Sequence, residues 1–273
     1  MKKILSKNDL SRVKIHYFFR LKPQDGAKTI SFLITKIKKE RGKYAGFATK
    51  SEVEKFLIAE IFGFDKSVRE KQAKINIRVI DNLIKSTLIK CDQKIESKNP
   101  LNIYIFPSYN QFVKKRMFGV SGYTPDKNNI LLFISPQKGW QSSLKNTVTH
   151  EYAHLVTYNY HKWKTLLDSL IFEGIAEHFR ESVISGKPSP WTQVLSPQKS
   201  KIVFKKIYNK LQSADEKYYQ QLFLGFDKKY PLWAGYTLGY QILQLFLRHQ
   251  KNLPWSKIIK LKPKDILAKS QYQ

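Results

Sequence analysis

Apolar and polar positions along the chain change period several times, and each change marks an element. SEVEKFLIAEIF, from Ser51, carries the helical period, with Ser51 as cap and Glu54 completing a capping box. A longer helix is expected from Asp65 to about Ile95, with apolar Val68, Ile75, Ile77, Val79, Ile80, Leu83 and Leu88, until SKNP stops it. LNIYIFPS (Leu101 to Ser108) and NILLFISP (Asn129 to Pro136) are continuous apolar runs of strand length. FGVSGYTPDKNN between them is rich in turn formers. Leu144, Val148, Tyr152, Leu155 and Val156 return to helical spacing, capped by Ser142 or Ser143 and reaching about Tyr160. Leu166, Leu167, Leu170, Ile171, Ile175 and Phe179 define the next amphipathic helix, which SGKPSPW ends. One or two lysine- and tyrosine-rich helices follow over 196–225, then a last major helix in WAGYTLGYQILQLFLRHQ and a short closing one in KPKDILAKS.

The first 48 residues are less regular. VKIHYFFRL (Val13 to Leu21) has strand character, TISFLITKIKK (Thr29 to Lys39) suits a strand or short helix, and KIKKERGK suits a solvated face. His16, among aromatics, is expected to be packed rather than to bind a metal. No internal repeat or low-complexity tract interrupts the chain. The expected class is therefore α+β and mostly helical. Residues 1–48 form a basic segment of undefined structure before a domain over 49–273.

Composition narrows the class of protein. With 273 residues, 42% of them hydrophobic and 14% aromatic, the chain can bury one substantial core or two lobes. No apolar run approaches the ~20 residues needed to span a bilayer. MKKILSKNDLSRVK begins with positive charge but lacks the ~7–15-residue apolar segment of a secretory signal. A single cysteine, Cys91, excludes an internal disulfide and suits a reducing, cytoplasmic setting, with Cys91 as a packing residue. The net charge is +28, yet only 8 of the 49 basic residues are arginine, and the lysines are scattered over nearly every segment. That pattern fits a solvated lysine surface, with weak, salt-sensitive association with nucleic acid or anionic membrane as the alternative.

The chemistry is concentrated between Thr147 and Phe179. HEYAH sets His150 and His154 four residues apart, about 6 Å along one helix face. Both imidazoles can then reach one ion, while Glu151, roughly 100° round the helix, is placed to activate water. A catalytic zinc takes three protein ligands and leaves one position open. Eighteen residues separate His154 from Glu173 on the following helix, which makes Glu173 the third ligand. Gly174 costs a helix interior ~1 kcal/mol relative to alanine, so close approach to the HEYAH helix is expected there. Glu177, one turn beyond Glu173, can accept a proton-bearing nitrogen of a metal-bound histidine and fix its tautomer. His161 and His178 are rival ligands, less well placed in the intervening loop and on the helix flank.

HExxH followed by ExxxE resembles the gluzincin group of zinc metallopeptidases. THEYAHLV, LLDSLIFEGIAEHF and the following SPW resemble, more narrowly, the YjaZ-type predicted zinc-dependent proteases, over about Asn102 to Gln250. The resemblance implies His150, His154 and Glu173 as zinc ligands, Glu151 as general base and Glu177 behind the ligands. It also implies a zincin-like two-lobed fold: a small sheet and the HExxH helix to about 160, and a helical lobe over 161–273. In gluzincins a strand before the active-site helix pairs with extended substrate, so NILLFI or the Gly119–Gly122 segment is the candidate for that edge, the alternative being an internal strand with all its hydrogen bonds made. A tyrosine or histidine of the downstream lobe often stabilises the oxyanion; Tyr236 and Tyr240, one turn apart, are the candidates. Trp191 suits a packing anchor better than a substrate platform. The function expected is zinc-dependent cleavage of a peptide or protein substrate. A zinc hydrolase of a non-peptide amide or ester, and a basic binding protein with a structural zinc, are the alternatives.

Overall fold

The protein is described by a computed structural model that covers residues 10–18, 49–63, 75–97 and 99–272. TISFLITKIKK, KIKKERGK and the first part of the helix expected from Asp65 lie outside those residues. The class is α+β: mostly helical, with one four-stranded mixed sheet. Two compact units divide the chain, Met1–Leu155 and Val156–Gln273. No helix among the described residues is long and apolar enough to cross a membrane.

The first unit is built on the sheet. Its strands β1 (Val13–Tyr17), β2 (Leu101–Pro107), β3 (Val120–Asp126) and β4 (Asn129–Ile134) lie in the order β1-β2-β4-β3. β1, β2 and β4 run parallel, and β3 returns antiparallel to β4. β2 and β4 are buried along their whole length, as central strands covered on both faces require. On one face Tyr104, Phe106, Leu131 and Phe133 pack against Leu57 and Ile61 of helix α1 (Lys50–Phe62). His16 stacks on Tyr104 at 4.8 Å, a packed histidine as expected.

NILLFI is thus an interior strand, hydrogen-bonded by β2 and β3, and cannot be the edge that takes up substrate. Among the described residues the edges are β1 and β3, and β3 contains Val120 to Gly122 of the other expected segment. β3 itself corrects the expectation of a turn-rich stretch. Phe118 and Gly119 turn before the strand and Lys127 and Asn128 turn after it, between the paired residues Asp126 and Asn129, and the register slips between Tyr123 and Asp126. That slip accommodates Pro125, which has no N–H for a regular ladder.

Two helix starts also differ from the sequence pattern. α1 is capped by Thr49, whose hydroxyl accepts the Glu52 N–H while the Glu52 carboxylate accepts the Thr49 N–H. The box therefore sits two residues before Ser51 and Glu54, because TKSE offers the same spacing with Thr49 already extended. Helix α2 (Ile77–Lys94) begins where the Asn76 side chain accepts the Arg78 and Val79 N–H groups. Cys91 is buried on α2, and burial raises its thiol pKa, which keeps it an unreactive packing residue.

A short helix, α3 (Gln111–Arg116), precedes β3, and α4 (Trp140–Thr157) carries HEYAH. Tyr152 lies two residues from each histidine, about 200° round the helix from either. Its hydroxyl hydrogen-bonds to Asp92 at the end of α2 and accepts the Ser97 N–H at 2.9 Å, while Arg12 pairs with the same Asp92. The face of α4 opposite the histidines is thereby fastened to α2 and to the segment entering β1.

The second unit is helical. α5 (Leu166–Val183) starts at a Thr165–Asp168 capping box. After a one-turn helix at Pro190–Gln193 come α6 (Pro197–Ile207), α7 (Glu216–Phe223), α8 (Ala234–His249), the short α9 (Trp255–Ile258) and α10 (Pro263–Ser270). The dominant packing is α5 on α8. A Cβ at Gly174 would run into the Gly239 carbonyl, and one at Gly239 into the Leu170 carbonyl. The close approach at Gly174 is therefore made with α8, through Gly239, and not with the HEYAH helix as expected.

Two stability measurements test this packing. Tyr152→Phe removes a hydroxyl from a buried carboxylate and should cost about 2 kcal/mol in urea unfolding; an unchanged midpoint would reject the anchor. Gly174→Ala should destabilise by roughly 1–3 kcal/mol despite alanine's better helix propensity, because backbone cannot give way to the new methyl. A stabilised Gly174→Ala protein would mean that α5 and α8 are not in contact there.

Candidate metal centre

The third to fifth turns of α4 hold the first two ligands. His150 and His154 bring their Nε2 atoms to 3.0 Å, with ring planes 83° apart. His150, His154 and Glu173 each offer one ligand atom, and these three atoms all lie within 4.8 Å of one another. His154 and Glu173 are buried. The donor set fits zinc: imidazole nitrogens and a carboxylate oxygen, with tetrahedral donors at ~2.0–2.1 Å from an ion standing ~3.3 Å apart. Two imidazole nitrogens at 3.0 Å cannot both bear protons, and a cation satisfies both lone pairs at once.

Glu151, also buried, is held from β3. The Thr124 hydroxyl donates to Glu151 Oε2 at 2.7 Å. Gly122, two residues before Thr124, has no side chain to obstruct the carboxylate. A Cβ there would lie 2.6 Å from Glu151 Cγ and 2.7 Å from Oε1. The glycine is thus a space requirement of the site, and its strand carries one of the partners of Glu151. The sequence placed Gly122 in a candidate substrate edge but not against Glu151, and gave no sign of Thr124, because the turn-former composition concealed most of their strand. The alternation of Val120, Gly122 and Thr124 against Ser121 and Tyr123 is the signal that could have revealed it.

Glu177 is fully buried and accepts three hydrogen bonds. They come from Arg180 Nε at 3.1 Å, the Ser189 hydroxyl at 2.8 Å and the Trp191 indole N–H at 2.7 Å. Arg180 is itself buried and also reaches Glu181 Oε1 at 3.2 Å. Trp191, expected to be an anchor, ties the loop after α5 to this carboxylate and packs edge-on against Trp233. Thr237 extends the same network, donating to the Trp191 carbonyl.

The other candidates stand as follows. Tyr240 donates its hydroxyl to Glu181 Oε2 at 3.2 Å and stacks on His178 at 4.2 Å. Burial first, and then Glu181, push its pKa up to about 12. Tyr236 packs edge-on against Phe223 at 5.2 Å. The rival ligands are both occupied by main-chain carbonyls: His161 Nε2 is 3.0 Å from the Ile259 oxygen and His178 Nε2 3.0 Å from that of Tyr240. Burial lowers the pKa of His178, so it is a neutral, packed imidazole.

Comparison with known proteins agrees with this donor set. A model of the family described as predicted Zn-dependent protease (DUF2268) matches residues 80–268. The uncharacterized protein YjaZ of Bacillus subtilis (strain 168) is 28% identical over 142 residues, which cover 49% of this chain. The match spans about half of that relative, 53% of its length. No solved structure matches. The matched region contains HEYAH, Glu173 and the helices that carry them, and the chain belongs to the predicted Zn-dependent protease family.

Proposed function

We propose that this protein is a gluzincin-type metallopeptidase that hydrolyses peptide bonds with a zinc-activated water. The observation that carries this is the grouping of ligand atoms from His150, His154 and Glu173 within 4.8 Å, beside a buried Glu151. In this proposal the fold is zincin-like and two-lobed, the sheet and α4 forming one lobe and the helices after Glu173 the other.

Bound zinc supplies a Lewis acid for the scissile carbonyl and brings the pKa of a water toward ~7. Glu151 takes the proton of the attacking water and returns it to the leaving amine. Thr124 donates to one oxygen of that carboxylate, and Gly122 leaves room beside the other. β3, an edge strand among the described residues, takes an extended substrate by main-chain pairing, in line with Gly122. Glu177 stands behind the ligands. It restrains α5 one turn beyond Glu173 through Arg180, Ser189 and Trp191. For the oxyanion we favour Tyr236, since the Tyr240 hydroxyl is already given to Glu181.

Zinc content and cleavage of casein or a peptide library, measured together, test the assignment. Glu173→Ala should lose both metal and activity. Glu151→Gln should keep its zinc and lose roughly 10²–10⁴ in kcat. Thr124→Val and Tyr236→Phe should also keep zinc, with kcat falling roughly tenfold and roughly 10²-fold respectively. Cleavage by Glu151→Gln at the wild-type rate would remove the base from the mechanism. Bound zinc with no turnover of peptides, amides or esters by the wild type would make the metal structural.

A further inference from the structure

A groove of about 800 Å³ opens in the second unit between α6 and α10. Its floor is apolar and buried: Leu167 at the start of α5, Phe204, Leu211 and Tyr272. Phe204 and Tyr272 meet edge to face at 5.0 Å, and Tyr208, 60% exposed, stands at the margin. Leu167 precedes Glu173 by six residues, about 9 Å along α5, so the groove is not the metal centre itself.

The rim has a distinct chemistry. Three exposed carboxamides, Asn209, Gln212 and Gln271, line it, each able both to donate and to accept. Lys205 and Lys264 are the charged residues of the lining, which includes no carboxylate. The flanking sequence strengthens the field: Lys199, Lys201, Lys206 and Lys210 on one side, Lys260, Lys262 and Lys269 on the other. An apolar floor alone would suit many ligands, but the amides and the cations narrow the choice. A hydrocarbon chain has no use for groups that donate and accept, whereas peptide main chain satisfies both. Asp265 follows Lys264 in sequence, but the lysines on and around the groove outnumber it, and such an excess of cations selects negative side chains.

We infer that this groove binds an acidic peptide segment, with apolar side chains seated on Phe204 and Leu211 and carboxylates at Lys205 and Lys264. The site is independent of the metal chemistry and makes the net charge of +28 locally specific. If the peptidase assignment also holds, the groove is a second point of attachment for acidic substrates.

Fluorescence anisotropy with a labelled peptide alternating glutamate with leucine and phenylalanine tests the site without reference to activity. The wild-type chain should bind it, and Lys205→Glu with Lys264→Glu should weaken binding about tenfold. Reversal of two exposed lysines elsewhere, Lys90→Glu with Lys127→Glu, should change it less than about twofold. A peptide with serine in place of leucine and phenylalanine should bind more weakly than the parent. The inference is overturned if no peptide binds, if the distant reversal is as damaging, or if the serine peptide binds equally well. It is likewise overturned if the groove reversal leaves the peptide unaffected but abolishes binding to phosphatidylglycerol vesicles or self-association. Lys205→Gln with Lys264→Gln, read the same way, guards against a variant that folds poorly.

Discussion

The constraint behind the rest is the placing of two imidazoles one helical turn apart with their Nε2 atoms 3.0 Å from each other. Such an arrangement is unfavourable by itself, since each ring would be better solvated alone. Buried apolar residues on α4 oppose its rotation, and a cation between the two nitrogens would satisfy both. The surrounding interactions act to keep the helix in that rotation. Tyr152, on the opposite side, is fixed to Asp92, which Arg12 neutralises. Leu144, Val148 and Leu155 on the same helix are fully buried.

The same logic governs the carboxylates. Glu151 and Glu177 are both removed from water, and burial of a charge is tolerable only with compensation. Glu151 receives it from Thr124 on a strand that a bulge has bent. Glu177 receives it from a guanidinium, a hydroxyl and an indole, all directed at its two oxygens.

How much could be read beforehand depended on whether the information was local. HEYAH and Glu173 were legible because ligand spacing on helices is set by the 3.6-residue period, and that period is written in the sequence. The central strands were legible because burial on both faces demands unbroken apolar runs. β3 was not, since an edge strand with a bulge needs Gly122 and Pro125 for tertiary reasons, and these residues imitate a turn. Gly174 was recognised as a contact point, but its partner was misassigned. The glycine says that some backbone comes near, and only the fold says that it belongs to Gly239. The cap at Thr49 was missed for a simpler reason: two overlapping capping boxes compete in TKSEVE, and the backbone chose the first.

The parallel pairing of β1 with β2 joins Val13 to Leu101, so the sheet is closed by chain segments far apart in synthesis. During translation β1 leaves the ribosome long before its partner exists, and α1 and α2 must form without it. Sheet closure is therefore a late event with a large loop-entropy cost. The pairing of Arg12 with Asp92 brings the segment before β1 to the end of α2. The Asp92 carboxylate thus links two distant segments, Arg12 before β1 and Tyr152 between the two histidines.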